Sequence, residues 1–313
     1  MARLAGIDLE LFPLNLGGNP FGWTCDQEAS FAVLDAFVEA GGNFVDTADL
    51  YSLWVPGNSG GESEAIIGAW LAARGGRDRV AIATKTGAPE LGTGLGRRAV
   101  ETALERSLER LGTDYVDLYY AHFDDPDTPI TAQVETFGAL LASGRIRAIG
   151  LSNYGPQRLR EWCETARRLG VAGPTAIQPE YHLLARKTYE REIAPVAQEY
   201  GVAVLPYLAL ASGFLTGKYR CAADVADRAR GHAAQHYLDA GGLTVVDALA
   251  QIASSRGEQI ATVALAWLLA KGAAAPIASV SRPEQLPALM ACADLTLASD
   301  EVAALDEAST PFA

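Results

Sequence analysis

The chain contains the stretch Val80-Ala81-Ile82-Ala83-Thr84-Lys85, a short apolar run that ends in a lysine. Two other runs also end in a residue that can carry a charge, Asn43-Phe44-Val45-Asp46 and Leu118-Tyr119-Tyr120-Ala121-His122. Short, continuously apolar runs are typical of parallel strands that are covered on both faces. The carboxyl ends of such strands meet at one rim, so we expect Asp46, Lys85 and His122 to lie close together.

Eight such runs alternate with longer segments that have helical spacing. In the segment 97–111, for example, apolar residues recur as they do on one face of a helix. This alternation predicts an α/β protein with a (β/α)8 barrel. The strands are expected near 11–16, 43–46, 80–84, 116–121, 146–151, 174–178, 202–206 and 274–279.

An open, doubly wound sheet is the alternative fold, and it would normally present a Gly-x-Gly-x-x-Gly loop after its first strand. The first run is instead followed by Leu16-Gly17-Gly18-Asn19-Pro20, which does not fit that pattern. The nearest match is Gly92-Thr93-Gly94-Leu95-Gly96, which has the wrong spacing and follows the third strand. The barrel is therefore the favoured fold.

The simplest organisation is one domain that spans residues 1–313, because no linker or internal repeat interrupts the alternation. Residues 3–10 are expected to form a small β-hairpin that closes the amino-terminal end of the barrel. Residues 52–61 and 207–242 are longer connections on the opposite face. Long loops on that face of a barrel usually build the site or close over it.

Composition limits the classes of partner. The 313 residues are 49% hydrophobic and carry a formal net charge of −13. This charge argues against nucleic acid and against an anionic membrane surface, since both require a basic face. A small-molecule substrate remains, and the sequence is compatible with either a monomer or a homo-oligomer.

The cysteines and the amino terminus indicate a cytoplasmic protein. Cys25, Cys163, Cys221 and Cys292 are widely scattered, without the spacing of a metal site or a disulfide scaffold. The first twelve residues have no long apolar centre, so they do not resemble a signal peptide.

An acid, a lysine, a histidine and a tyrosine at one rim can relay a proton to a carbonyl oxygen. Tyr51 follows Asp46 by five residues. We expect the ammonium of Lys85, paired with Asp46, to lower the pKa of Tyr51, so that Tyr51 can act as a general acid. His122 would orient and polarise the carbonyl. A structural ion pair between Asp46 and Lys85 is the simpler alternative.

These residues carry a resemblance to the aldo-keto reductase superfamily, to bacterial members in particular. The resembling stretches are Phe44 to Tyr51, Thr84-Lys85, His122, Gly57 to Glu64, Ile149 to Asn153 and Gly213 to Tyr219. The resemblance runs over nearly the whole chain in order. It implies that Asp46, Tyr51, Lys85 and His122 are a catalytic tetrad, with Tyr51 as the general acid.

The remaining strand ends offer groups for a nicotinamide cofactor. Ser152, Asn153 and Gln178 provide the donors and acceptors that a carboxamide needs, and Tyr207 offers a flat face for the ring. The resemblance implies further cofactor contacts around the pyrophosphate and the adenosine. These are Leu208, Leu210, Ser212, Gly213, Leu215, Lys218, Ser279, Ser281, Arg282 and Gln285.

The last loop resembles the segment that holds the adenosine 2′-phosphate, which favours NADPH over NADH. Two positions depart from the family pattern. Many relatives have a cation aligned with Ser281, whereas here the neighbouring Arg282 is the cation. An asparagine that often contacts adenine is replaced by Leu289.

Trp23, Trp54 and Phe123 come from three rim loops and are expected to line the mouth of the site. Aromatic walls with few charges suit a neutral aldehyde or ketone, or the apolar face of a sugar. The sequence therefore predicts an NADPH-dependent carbonyl reductase. A nicotinamide-sensing regulatory subunit on the same barrel is the main alternative. A Schiff-base lyase or isomerase using Lys85 explains neither Tyr51 nor Gln178.

Overall fold

The computed structural model describes residues 1–226 and 231–313, and its eight strands form one parallel sheet. The strands are β1 (Asn15–Gly17), β2 (Phe44–Asp46), β3 (Ala81–Thr86), β4 (Val116–Ala121), β5 (Ile146–Ser152), β6 (Ala176–Gln178), β7 (Ala203–Val204) and β8 (Ile277–Ala278). Each overlaps a predicted run, and β1, β3 and β5 extend one or two residues beyond it. The predicted α/β barrel is confirmed.

The strands follow one another around the barrel in sequence order, and β8 pairs with β1. Two backbone hydrogen bonds connect the segments around β7 and β8. Ala274 N–H donates to Val204 O at 2.8 Å, and Ile277 N–H donates to Pro206 O at 2.8 Å. These bonds bring the two ends of the sheet together.

Helices occupy the connections between the strands, and two more follow β8. They are α1 (Gln27–Glu39), α2 (Glu62–Arg74), α3 (Arg97–Leu111), α4 (Ile130–Ala142), α5 (Pro156–Leu169), α6 (Ala194–Tyr200), α7 (Ala222–Val225), α8 (Gly231–Asp239), α9 (Leu243–Arg256), α10 (Ile260–Ala270), α11 (Leu286–Met290) and α12 (Ser299–Ala308). A π-helical turn, Tyr189–Ile193, precedes α6, and short 3-10 segments lie at Arg77–Arg79, Pro89–Leu91, Ala211–Thr216, Pro283–Gln285, Ala291–Ala293 and Thr310–Phe312.

The periodicity of α3 illustrates how the helices pack. Val100, Leu104 and Leu111 are buried, and Leu108 is partly buried against the same core. The helix ends where Gly112 adopts a positive φ of 63°, which glycine tolerates without a steric cost. The predicted helix at 97–111 is confirmed. None of the helices in the described ranges is both long enough and apolar enough to cross a bilayer.

The amino-terminal segment closes one end of the barrel, as predicted, but it is not a hairpin of paired strands. A single antiparallel bridge joins Ala2 and Leu11. Leu4 and Ile7 are buried in the cluster that fills the barrel interior. Gly6 has a φ of +86°, and a Cβ added there would lie 2.4 Å from the carbonyl oxygen of Arg147. The close approach of this turn to the barrel therefore requires glycine.

The two long connections differ. Residues 52–61 form turns that end where α2 begins. The connection 207–242 contains a 3-10 segment and the helices α7 and α8. Residues 227–230 of this predicted loop lie outside the described residues.

Candidate active site

The ends of β2, β3 and β4 bring together four side chains that sequence analysis grouped. Asp46 is the last residue of β2, Lys85 is the penultimate residue of β3, and His122 follows β4 directly. Tyr51 lies on the turn after β2. Because the three strands are adjacent and parallel, these side chains share one rim.

Lys85 is the centre of this group and is fully buried. Its ammonium donates to Asp46 Oδ2 at 2.5 Å, to the Thr47 carbonyl oxygen at 2.8 Å and to Tyr51 Oη at 2.8 Å. All three N–H donors of the ammonium are thus used. The Tyr51 hydroxyl in turn donates to Asp46 Oδ2 at 3.0 Å. The arrangement leaves the charge of Lys85 both paired and hydrogen-bonded.

The surroundings do not lower the pKa of Tyr51, and this expectation was wrong. Burial of the phenol raises its pKa well above the usual value, and the Asp46 carboxylate raises it further. Burial also lowers the pKa of Lys85, against the opposite effect of Asp46. For His122, burial and then the charge of Lys85 hold the pKa well below its ordinary value. Tyr51 is therefore a neutral phenol and His122 a neutral imidazole at neutral pH.

The ends of β5 and β6 form a connected polar wall beside this group. Gln178 Nε2 donates to Asp46 Oδ1 at 2.9 Å, and Ser152 Oγ donates to the Gln178 carbonyl oxygen at 3.0 Å. Asn153 Nδ2 lies 3.2 Å from Ser152 Oγ, and the Tyr207 hydroxyl donates to Asn153 Oδ1 at 3.0 Å. The predicted nicotinamide-binding residues are thus one hydrogen-bonded network that reaches Asp46.

A pocket of about 900 Å³ opens at this rim. That volume is near the upper end of the roughly 300–1,000 Å³ that ligand pockets span. The predicted site residues that line it are Tyr51, His122, Phe123, Ser152, Asn153, Gln178, Tyr207, Leu208, Leu210, Ser212, Gly213, Lys218, Ser279, Ser281 and Gln285. Asp46 and Lys85 are buried behind Tyr51, whereas Leu215 packs in the core and Arg282 is exposed next to the lining.

The loop after β7 has an unusual backbone where it borders the pocket. Leu208, Ala211 and Ser212 all have positive φ, between 48° and 56°, a conformation that non-glycine residues rarely adopt. Gly213 follows with a φ of +88°, and a Cβ added there would lie 2.9 Å from Lys218 Nζ. This glycine and the ammonium therefore form a close-fitting cradle. A cationic cradle of this kind fits the phosphates of a dinucleotide.

The loop after β8 forms the far end of the pocket. Ser279 Oγ donates to Asn19 Oδ1 at 2.7 Å, and the backbone N–H of Ser281 donates to Gln285 Oε1 at 3.0 Å. Leu289, which departs from the family pattern, also lines this end. Hydroxyl and amide groups here, with the adjacent guanidinium of Arg282, fit an adenosine phosphate.

The three predicted aromatic residues border the reacting end. Trp23 and Trp54 meet edge to face with ring centroids 5.6 Å apart, and Trp54 lies 6.3 Å from the ring of Tyr51. Phe123 packs on His122 at 4.8 Å. Trp54 is 46% exposed, which is unusual for a large aromatic side chain. The mouth is therefore apolar directly beside Tyr51.

A buried acidic group behind the tetrad was missed by the sequence reasoning. Burial and then the neighbouring Glu64 raise the pKa of Asp49 to about 7. Glu64 itself accepts from Thr84 Oγ1 at 2.5 Å and pairs with Arg110 at 2.6 Å. The only signal in the sequence is that Asp49 lies two residues before Tyr51, and such a position does not reveal burial.

Asn19 and Tyr120 were missed as well. Asn19 lines the pocket from the loop after β1. Tyr120 stands two residues before His122, and residues two apart in a strand point to the same face. That alternation was a readable signal that Tyr120 faces the interior together with His122.

Comparison with known proteins agrees with this geometry. The model of the aldo/keto reductase family matches residues 13–310. Norsolorinic acid reductase stcV of Emericella nidulans is 31% identical, over 100% of this chain and 81% of its own. Aldo-keto reductase YhdN of Bacillus subtilis is 33% identical, over 91% and 85%. A probable voltage-gated potassium channel subunit beta of Oryza sativa subsp. japonica is 33% identical, over 79% and 76%. The chain thus belongs to the aldo/keto reductase family and is a carbonyl-reducing oxidoreductase.

Proposed function

We propose that this protein is an NADPH-dependent reductase that converts an aldehyde or ketone into an alcohol, with Tyr51 as the proton donor. One observation carries the proposal. Tyr51 lines the pocket, and its hydroxyl contacts both a buried ammonium and a buried carboxylate. A bound nicotinamide would supply the hydride for the carbonyl carbon.

Tyr51 is suited to give up its proton only when a strong base forms beside it. Its pKa is raised by burial and by Asp46, so the phenol stays protonated at neutral pH. The alkoxide that forms when hydride adds to a carbonyl is a stronger base than a phenolate, so it takes the proton. Lys85, 2.8 Å from the phenol oxygen, stabilises the phenolate that remains. In the oxidative direction the same phenolate acts as the base.

His122 and Asp46 support this transfer. His122 is neutral because burial and Lys85 lower its pKa, and a neutral imidazole can donate one N–H to a carbonyl oxygen. Asp46 Oδ2 accepts a hydrogen bond from the Lys85 ammonium at 2.5 Å, and Asp46 Oδ1 accepts one from the side-chain amide of Gln178. The carboxylate of Asp46 thus neutralises the buried ammonium of Lys85, and in this proposal it does not contact the substrate.

The cofactor assignment rests on the volume and the lining residues of the pocket. Ser152, Asn153 and Gln178 would hold the carboxamide, and Tyr207 would pack on the ring. Lys218 would hold the pyrophosphate. The preference for NADPH rests on Ser281 and Arg282 at the far end, because a guanidinium is well suited to a phosphate monoester. A protein that acts on such a cofactor is expected in the cytoplasm, as a monomer or a homo-oligomer.

The substrate is expected to be a neutral carbonyl compound with an apolar or aromatic face. Trp23, Trp54 and Phe123 form the mouth next to Tyr51 and present rings rather than charges. Rings at this position can stack on a flat substrate or on the apolar face of a sugar. The fungal relative is named a norsolorinic acid reductase, and a reductase activity is consistent with the reduction proposed for this chain.

A nicotinamide-sensing regulatory subunit is the second candidate, and the similarity to the rice channel subunit favours it. Such a protein would bind the nucleotide tightly and turn over little. The complete hydrogen-bonded tetrad favours the reductase, because a sensor has no need of a proton donor.

Titration of the protein with NADPH and with NADH, followed by quenching of tryptophan fluorescence, tests the cofactor. A panel of aromatic and aliphatic aldehydes, followed at 340 nm, tests the reaction. We expect tight NADPH binding together with oxidation by a neutral aldehyde such as 4-nitrobenzaldehyde. Tight binding without turnover over the whole panel would favour the sensor, and absence of binding would contradict both candidates.

A further inference from the structure

Tyr120 is a fully buried residue on the inward face of β4, and the mechanism above does not use it. It is paired in register with Lys85 on one side and with Gly150 on the other. A Cβ added at Gly150 would lie 2.3 Å from Cδ1 of Tyr120, so the ring lies directly on the glycine backbone. This contact fixes the ring next to the tetrad.

The ring of Tyr120 is within cation–π distance of the buried ammonium. Lys85 Nζ lies 5.8 Å from the centroid of this ring and 4.6 Å from that of Tyr51. Burial disfavours the charged form of Lys85 and lowers its pKa. An aromatic face attracts a desolvated cation, so the Tyr120 ring offsets part of this cost.

The hydroxyl of Tyr120 has an unusual position. Within residues 1–226 and 231–313 it makes no hydrogen bond of good geometry, although it is buried. Burial and then the charge of Asp46 raise the pKa of Tyr120 well above its usual value, and the nearby Gln178 side chain acts in the opposite direction. A buried hydroxyl without a good hydrogen bond costs stability, and such groups are often retained for function.

Gln178 connects this hydroxyl to the pocket. An ionised carboxylate only accepts hydrogen bonds, so the contact with Asp46 turns Nε2 of Gln178 towards the tetrad. The second N–H of that nitrogen is then available to the Tyr120 oxygen. The amide oxygen is left for the pocket, which Gln178 lines.

We propose that Tyr120 is a positioning residue with two separable roles. Its ring keeps the Lys85 ammonium charged, and its hydroxyl holds the Gln178 amide in the orientation that receives the nicotinamide carboxamide. This inference rests on the proposed function.

Two variants of Tyr120 and one matched control separate these roles. Tyr120→Phe removes the hydroxyl and keeps the ring, whereas Tyr120→Leu removes both. Tyr119→Phe is the control, because Tyr119 is equally buried on the outward face of β4, where its hydroxyl reaches Val100 O at 3.4 Å. Each variant is titrated with NADPH and with 2′,5′-ADP, which lacks the nicotinamide. Thermal unfolding and the pH dependence of kcat are also measured.

We expect Tyr120→Phe to weaken NADPH binding roughly two- to tenfold. The affinity for 2′,5′-ADP and the pH dependence of kcat should stay at the wild-type level, and the melting temperature should stay the same or rise, because the removed hydroxyl made no good hydrogen bond. Tyr120→Leu should in addition move the alkaline limb of kcat to lower pH, by roughly 0.4–1.5 pH units, because Lys85 loses a cation–π partner. Tyr119→Phe should leave both titrations unchanged.

The outcomes separate this inference from the proposed function. Wild-type protein that binds neither nucleotide overturns the proposed function, and the inference with it. Wild-type binding together with equal NADPH affinities for Tyr120→Phe and Tyr119→Phe overturns the hydroxyl role alone. An alkaline limb that stays in place or moves to higher pH in Tyr120→Leu overturns the ring role. If Tyr120→Leu does not fold, the pH profile of Tyr120→Met decides the ring role by the same criterion.

Discussion

The two halves of the barrel rim are built differently. On the half formed by β2, β3 and β4, Asp46 and Lys85 are fully buried on strands, and the ammonium of Lys85 has three hydrogen bonds. On the other half, the pocket is lined by the loops 207–219 and 279–289, and Leu208, Ala211 and Ser212 of the first loop adopt positive φ. In the proposed function, the Asp46–Lys85 ion pair that supports proton transfer by Tyr51 thus lies on strands, whereas an extended cofactor would be held by loops that reach around it.

The largest effect on stability is expected on the strand half, from Lys85→Met. This change leaves the Asp46 carboxylate buried without its ammonium. We expect a loss of roughly 3–5 kcal/mol in the free energy of unfolding. We also expect a fall in kcat of roughly 100-fold or more, because the phenolate loses its stabilising charge. Urea unfolding and steady-state rates measure the two effects.

The double variant Lys85→Met with Asp46→Asn is the control for this change. It removes both charges, so most of the lost stability should return while kcat stays low. Recovery of activity in the double variant would show that the pair is only structural.

Asp49 behind the tetrad gives the next largest effect, one that depends on pH. Its carboxyl titrates at about 7 in the folded protein against 3.8 as the ordinary value. The folded state holds the proton of Asp49 more tightly than the unfolded state does. The stabilisation that this protonated carboxyl provides is therefore fully present below pH 4 and is lost as the pH rises through 7. Asp49→Asn cannot ionise. The free energy of unfolding of Asp49→Asn minus that of the wild type should therefore grow by roughly 2–3 kcal/mol from pH 5 to pH 8.

The groups that face Asp49 are Glu64 from α2, Thr86 and Lys85 from β3, Arg110 from α3 and Tyr119 from β4. Chemical denaturation at pH 5, 6.5 and 8 measures the difference between Asp49→Asn and wild type. A difference that does not change with pH would show that Asp49 is ionised throughout this range.

On the loop half, Lys218→Ala is expected to change binding and not stability. Removal of one phosphate-binding ammonium should raise the NADPH dissociation constant about tenfold at low salt, and less at high salt. kcat at saturating NADPH should be unchanged. Arg220→Ala is the matched control, because Arg220 lies two residues further on and pairs with Asp247 at 2.6 Å. Equal effects of the two changes would contradict the assigned role of Lys218.

The smallest effect is expected from Gly213→Ala on the same loop. A positive φ costs a non-glycine residue about 1 kcal/mol, and the new Cβ would also push the Lys218 ammonium aside. Gly241→Ala is the control, since Gly241 has a φ of +80° and open space around a Cβ. Both variants should lose similar stability, but only Gly213→Ala should weaken NADPH binding, by about threefold. Equal NADPH affinities of the two variants would show that Gly213 and Lys218 do not hold the cofactor.

Sequence patterns were sufficient for the strand half. The runs before Asp46, Lys85 and His122 are apolar on both faces, so parallel strands and a shared rim follow directly. Sequence patterns predicted less of the structure on the loop half. The helices α7 and α8 were not predicted, because they are short and depend on packing of residues such as Val225 and Tyr237 against the core.

The electrostatic balance of the site could not be predicted from residue types. Sequence shows that Lys85 can approach Tyr51, and this alone suggests a lower pKa for the phenol. The structure adds burial and the contact with Asp46, both of which act in the other direction. Desolvation depends on every neighbouring atom and has no signature in a linear pattern.

The most direct test of the account is Tyr51→Phe, measured as turnover and as NADPH affinity in the same preparation. The proton donor is lost while the pocket keeps its shape. We expect kcat for aldehyde reduction to fall about 1,000-fold, within the range known for general acids, and the NADPH dissociation constant to stay within about twofold of wild type. Turnover that survives the substitution, or an equal loss of turnover and NADPH binding, would contradict the assignment of Tyr51 as the proton donor.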